Sequence, residues 1–283
     1  MRLSHNLASL SIYNEQNKVL QRQSIALGRI SSGIKVNSSK DDPNAISQSE
    51  RFRMQIRGLQ MASRNAQDGV SMLQTAEGAL GNINDSIARV RELTVQAGNG
   101  TNTENDKTTI QNEISQLLKG IDDMANNTEF NGVKLVANTS ATVTSMSMPI
   151  GANTGDSVSI PMYDVRTTSL KDSNGNTLAS IDVTTSEGAN DALKTIDDIS
   201  GQILSINSKY GALENRFDST YNNLNELSDK MESADSSVRD ADIAEEMMEY
   251  SKDNILSEAG TALMAQTNKF PQDILRILEN VRG

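Results

Sequence analysis

Apolar residues recur at a seven-residue spacing along two long stretches of the chain. In the first, one row reads Ala45, Phe52, Leu59, Ala66, Leu73, Leu80 and Ile87. A second row, three positions on, reads Ala62, Gly69, Ala76, Ile83, Val90 and Ala97. Together they form the seam by which helices pack lengthwise with a left-handed supercoil, and a helix of that extent is roughly 75 Å long at ~1.5 Å per residue. Gly98, Asn99 and Gly100 mark a chain reversal, after which Ile110, Ile114, Leu117, Ile121 and Met124 repeat the pattern. The second long stretch reads Ala192, Ile196, Ile199, Ile203, Ile206, Tyr210, Leu213, Phe217, Leu224, Leu227 and Met231, interrupted only by Thr220. Three such helices with complementary seams predict a bundle.

The two ends differ in character. Near the N-terminus two adjacent rows run Ile12, Val19, Ala26 and Tyr13, Leu20, Leu27, Ile34. Near the C-terminus Ile255, Leu256, Ala259, Ala262, Leu263, Met264, Phe270, Ile274, Ile277 and Leu278 spread around much of a helix. A helix apolar on most sides is not stable alone in water and must be covered by partners. The ends are therefore candidates to pair with each other and with neighbouring subunits.

Between the helical blocks, residues 131–188 turn to Ser, Thr, Gly, Asn and Val. Alternation in Val143–Met148 and Ser157–Met162, with Asn174-Gly175 as a turn signal, predicts short strands and hairpins. The expected architecture is mainly α: a long antiparallel helical bundle or coiled coil with paired terminal helices and a small central β-hairpin unit. Residues 1–40 and 241–283 form the expected inner terminal-helix layer. Residues 41–240 form the outer helical layer and carry the β unit at 131–188.

Composition narrows the function. The 283 residues carry a net charge of −11, which argues against nucleic acid and against anionic lipid as partners. Aromatic residues make up only 3%, with no Trp, so Ala, Leu, Ile and Met must supply most of the burial. No apolar run approaches the ~20 residues of a membrane span, and Met1–Gln16 lacks the basic start and apolar stretch of a signal peptide. The absence of cysteine excludes disulfides and thiolate metal sites.

Candidate chemistry is sparse. His5 is the only histidine, so neither a zinc-protease helix nor a credible Ser–His–Asp triad can be assembled. The acidic run Asp240, Asp242, Glu245, Glu246 and Glu249 lacks the glycine and terminal glutamate of a calcium loop. It reads as negative charge at a helix N-terminus. Gly28, Gly33, Gly69, Gly78 and Gly81 form no phosphate loop, and close backbone approach is their expected role. Met247, Met248 and Met264 read as adaptable packing. No catalytic residue, cofactor or metal ligand is expected.

Several stretches carry a family resemblance. Leu27–Asp42 (LGRISSGIKVNSSKDD), Gln67–Leu80 (QDGVSMLQTAEGAL), Ile87–Gln96 (IARVRELTVQ), Asn126–Val136 (NNTEFNGVKLV) and Ser237–Gln266 resemble the bacterial flagellins, in the family's order. Pro271 also sits where that family commonly has a proline. One departure is that Pro43, Asn44 and Ala45 follow Asp41-Asp42, where flagellins often carry small residues including Gly. The resemblance implies a structural subunit, not an enzyme, that is exported by a type III route without a cleaved signal peptide and polymerises into the extracellular flagellar filament for motility. The related alternative is a hook–filament junction protein. Implied partners are further copies of the chain, a flagellin export chaperone and the export apparatus, and the filament cap and hook-junction proteins. The short centre implies that the large outer domains of some flagellins are absent.

The resemblance also singles out residues. Leu20, Leu27, Leu256, Leu263, Phe270 and Ile274 are implied in filament-core packing. Arg89, Leu93 and Glu113 match family positions that contact the host flagellin-sensing Toll-like receptor and the adjacent subunit. By its residues alone, the Arg89–Arg91–Glu92–Leu93 cluster reads as a solvated charged face with one ion pair. With the resemblance, Leu93 is expected to be an apolar anchor on that face.

Overall fold

The structure, a computed structural model, describes residues 6–137 and 145–281, the side chains of 274, 275 and 277–281 excepted. Among the described residues five helices follow one another as α1 (Leu7–Ser32), α2 (Pro43–Ala97), α3 (Glu104–Asn127), α4 (Ser186–Arg239) and α5 (Ile243–Val281). Between α3 and α4 lie β1 (Glu129–Phe130), β2 (Val133–Lys134), β3 (Ser145–Pro149), β4 (Ser157–Pro161) and a single 3-10 turn, Leu178–Ser180. The chain divides into two compact units, residues 55–229 and residues 1–54 with 230–283.

In the unit of residues 55–229, the α2 seam is buried from Leu59 to Ala97, as its spacing predicts. Side-chain hydrogen bonds fix its partner: Ser63 to Asn225, Gln74 to Glu214 and Arg91 to Asp197. Each step up α2 is matched by an equal step down α4, so the two helices run antiparallel. The α4 row from Ala192 to Phe217 is buried apart from the half-buried Leu213, while Leu227 stands exposed. The reversal expected at Gly98–Gly100 is present, and α3 then starts on a capping box in which Thr103 and Asp106 satisfy each other's N–H groups. Ile110, Ile114, Leu118, Ile121 and Ala125 carry its buried face.

The β unit closes this core. Asn131 and Gly132, at φ 49° and 77°, turn β1 into β2, the left-handed pair that a two-residue hairpin requires. Strands β3 and β4 pair antiparallel with Met146 opposite Ile160 and Met148 opposite Val158. Alternation put strands at Val143–Met148 and Ser157–Met162. The observed strands fall there, although residues 143 and 144 are outside the described residues. Asp172 organises the expected Asn174-Gly175 turn by accepting the N–H groups of Asn174 and Asn176 and the Thr195 hydroxyl.

Close backbone approach holds for one of the five glycines that suggested it. A Cβ on Gly69 would stand 2.8 Å from Met148 Sδ and 3.1 Å from the Phe217 ring. Gly28, Gly78 and Gly81 have open space instead, and Gly33 ends α1 in the left-handed region at φ 71°.

Candidate functional site

In the unit of residues 1–54 and 230–283, α1 packs along α5. Arg22 meets Asp253, Arg29 meets Glu246, and Asn6 meets Thr267. Rising numbers on one helix meet falling numbers on the other, so the pair is antiparallel. The connection at one end is a small backbone clasp. Lys35 N–H donates to Arg239 O at 2.8 Å, and Ala241 N–H donates to Gly33 O at 3.0 Å. Arg239 also donates from Nε to Val36 O and from Nη1 to Ser49 Oγ. Asp41 braces the loop by accepting from the N–H groups of Ser38 and Asn37 and the Ser38 hydroxyl, which holds its carboxyl below the usual carboxylate range. Past it, Asp42 caps α2 through the N–H groups of Asn44 and Ala45, with Pro43 at the first helical position, where its missing N–H costs nothing.

The two rows read from the N-terminal sequence separate along α1, while Ile34, past the helix end, is half-buried and bridges to Asp240. Val19 and Ala26 are buried against α5, with Ile12 half-buried, while Tyr13, Leu20 and Leu27 are exposed. On α5 the arrangement is inverted. Its covered positions are Glu246 and Asp253, buried, with Tyr250, Ser257, Gly260, Met264, Thr267 and Pro271 half-buried. Its large apolar side chains face away: Ile255, Leu256, Leu263 (53% exposed) and Phe270 (60%). The side chain of Ile274 lies outside the described residues. A helix pair that hides its small and polar residues and presents its leucines leaves an apolar surface that water disfavours, by about 25 cal/mol per Å².

Sequence reasoning missed what lies in the seam. Glu246 is more than a favourable charge at a helix N-terminus, because it is buried and its Oε1 accepts from Arg29 Nη1 at 3.0 Å. Asp253, 1% exposed, accepts at Oδ1 from Arg22 Nη2 at 3.4 Å. Beside them Gln23 donates to Asn254 at 3.3 Å. Asp253 Oδ2 and Glu246 Oε2 are buried with no hydrogen-bond partner among the described residues. The available signal was the matched spacing, Arg22 to Arg29 and Glu246 to Asp253, of opposite charge on the two helices.

The Arg89 cluster is corrected in part. Arg89 donates to Glu92 at 2.9 Å and to Glu113, across on α3, at 3.2 Å, and all three are exposed. These bonds, to Glu92 first and then to Glu113, raise the Arg89 pKa above its ordinary value. Leu93 does not share that face. It is 2% exposed and belongs to the core of α2, α3 and α4. Met72, Ala79, Ser86 and Leu93 form a third row on α2, and Leu93 lies three residues from Val90 and four from Ala97, on the seam side of the helix. The expectation of an exposed apolar anchor there is therefore not met.

No group of His, Asp or Glu among the described residues is placed to hold a metal ion. Grooves on the unit of residues 55–229 are shallow, one of about 490 Å³ being lined by Thr75, Asn82, Asp123 and Glu129.

Known proteins resemble the chain over nearly its whole length. Residues 3–141 match the bacterial flagellin N-terminal helical region and residues 193–278 the bacterial flagellin C-terminal helical region. The chain is 40% identical to a flagellin of Bacillus subtilis, the match covering 98% of this chain and 100% of the relative. It is 37% identical to a flagellin of Halalkalibacterium halodurans at the same coverage. Among solved structures, a Vibrio parahaemolyticus protein provisionally described as flagellar hook-associated aligns with a TM-score of 0.61 over 71% of this chain and 100% of that one. At 16% identity that likeness is one of fold alone.

Proposed function

Since the chain belongs to the bacterial flagellin family, a family of structural filament subunits and not of enzymes, we propose how it assembles. Residues 1–40 and 241–283 form the inner terminal-helix layer of the extracellular flagellar filament, and residues 41–240 form the outer layer. The observation that carries this reading is the inverted α1–α5 pair. Leu20, Leu27, Leu256, Leu263 and Phe270 turn away from their own partner helix, and neighbouring subunits cover them. Ile274, assigned to the filament core by resemblance, stands seven residues beyond Thr267 and so continues by spacing the covered row of Glu246, Asp253, Gly260 and Thr267. The exposed Arg89–Glu113 pair bridging α2 and α3 serves as a lateral contact and as the surface met by the host flagellin-sensing Toll-like receptor. Leu93 supports this surface from beneath.

An apolar terminal pair is an aggregation hazard before assembly. A flagellin export chaperone that shields α5, a type III export apparatus with no signal-peptide cleavage, and cap and hook-junction proteins at the filament ends complete the proposed partners. Full-length similarity to flagellins favours the filament role over that of a junction protein. The deciding experiment is seeded growth of Leu263→Asp. A carboxylate on the outward row cannot be buried against a neighbour without a large penalty. Growth should stop while the soluble chain's circular dichroism stays unchanged; normal growth would remove Leu263 from any subunit contact.

A further inference from the structure

Coiled-coil packing leaves the axial offset of two helices open unless some side chain specifies it. The α1–α5 seam is a weak specifier. Its buried apolar residues are Val19 and Ala26 on α1, and α5 answers with a mixed, half-buried set of Tyr250, Ser257, Gly260, Met264 and Thr267. A shift of one heptad exchanges Tyr250 with Ser257 and Ser257 with Met264, but all three are only half-buried, so water and side-chain rotation absorb much of the change. The larger difference between registers is in the buried charges Glu246 and Asp253.

Arg22 and Arg29 stand one heptad apart on α1, and Glu246 and Asp253 one heptad apart on α5. In the antiparallel pair both acids find an arginine in the same register. Sliding α5 by seven residues one way sets Glu246 level with Arg22 but brings Asp253 level with Glu15. Sliding it the other way sets Asp253 level with Arg29 and Arg22 beside Gly260, but carries Glu246 past the end of α1 at Ser32 and away from any arginine of that helix. Either slip keeps one pair and leaves the other acid without an arginine of α1, facing a like charge in one case. An unpaired buried carboxylate is among the costliest groups in a protein interior.

We propose that Arg22–Asp253 and Arg29–Glu246 act as a two-point register lock for the terminal helices. The orphaned Asp253 Oδ2 and Glu246 Oε2 fit this role. Pairs that leave an acceptor unsatisfied contribute little net stability, and their attested use is to exclude alternatives. The lock has a consequence for assembly, and that part rests on reading the pair as the filament core. A one-heptad slip displaces α5 by about 10 Å along α1. Leu20 would no longer stand level with Ile255 and Leu256, and the outward apolar rows would present a broken surface to the next subunit.

The native chain has no cysteine, so introduced thiols report register without background. Gln23→Cys is combined in turn with Asn254→Cys, Met247→Cys and Thr261→Cys, the first for the observed register and the others for slips of one heptad. Each protein is co-assembled as a minor fraction with the native chain and treated with a short bismaleimide. With native charges the 23–254 link should dominate. Replacing all four lock residues by Leu removes the charges without stranding any, and the 23–247 and 23–261 links should then rise by roughly fivefold or more, the population change that loss of about 1 kcal/mol of preference brings. The exchanged pair, Arg22→Asp with Asp253→Arg, should keep the 23–254 link. Retention of that link alone in the four-Leu variant, in filaments or in the soluble chain, overturns the proposal, and so do comparable yields of all three links with native charges. If the native-charge chain keeps the 23–254 link but grows no filaments, the filament-core reading fails and the lock stands.

Discussion

Asn6 donates from Nδ2 to the backbone carbonyl of Thr267 at 3.1 Å, and Thr267 is the residue four before Pro271. Proline has no N–H, so within α5 the Thr267 carbonyl has lost the donor that every other residue at that position would supply. Asn6, from the other end of the chain, replaces it. The same side chain caps α1 by accepting from Ser9 N–H at 3.1 Å, so a single residue serves two helix defects.

That double duty predicts non-additive mutants. Asn6→Ala should cost about 1 kcal/mol for the lost cap and about 1 kcal/mol more for the stranded carbonyl. Pro271→Ala restores a helical donor to Thr267, so in that background the cost of Asn6→Ala should fall by roughly half. Hydrogen exchange of the first-turn amides of α1 measures both steps. Strict additivity would show that Asn6 and Pro271 are not coupled through Thr267.

Leu93 and Arg89 should separate by readout. Because Leu93 is buried beneath the charged face, Leu93→Ala creates a cavity and should lower stability by roughly 2–5 kcal/mol. Arg89→Ala should leave the denaturation midpoint unchanged and weaken receptor binding or lateral assembly instead. Denaturant titration beside a binding titration distinguishes them; a stable Leu93→Ala chain would contradict the core assignment.

The glycines of α2 give opposite signs. At Gly78 a methyl group meets open space, so Gly78→Ala should stabilise the chain by about 1 kcal/mol through helix propensity. At Gly69 the methyl would press on Met148 and the buried Phe217 ring. Overpacking there outweighs propensity, and a net loss of about 1–2 kcal/mol is expected. Thermal unfolding of the two variants tests the contrast directly.

Two carboxyls make opposite contributions with pH. Burial pushes Glu77 above the usual carboxylate range, and the charge of Glu214 adds to it. Its raised folded pKa favours the native state at low pH, a contribution lost as pH rises through that value. Glu77→Gln should therefore stabilise at neutral pH and lose its advantage in acid. Burial would raise Asp164 too, but the Arg166 guanidinium, the Ser169 hydroxyl and the Arg166 N–H hold it below the usual range. Its contribution is present above the unfolded pKa of about 3.9 and is lost as pH falls through the folded value. Asp164→Asn should destabilise at neutral pH and flatten the acid limb. Stability curves of both variants from pH 3 to pH 8 follow from these signs, and parallel curves for mutant and native chains would refute them.

The helices and their buried seams were legible in the order of residues alone. The rows through Leu73 and Ile83 on α2 and through Ile196 and Phe217 on α4 are buried as their spacing requires, because a repeat near the helical period admits one inward face. The Asn174-Gly175 turn and the β3–β4 alternation were legible for the same reason, since each is a local rule of backbone conformation or strand period. Which side of a face a single residue occupies was not local. Leu93 reads as a lone leucine among charges until α3 and α4 close over its row, and Glu246 reads as a helix-end charge until α1 brings Arg29 to it. The outward turn of Leu256, Leu263 and Phe270 was likewise decided in three dimensions. A helix with apolar residues on most sides can present any of them, and only the partner chosen by Arg22, Arg29 and Asn6 settles which side is left over for another subunit.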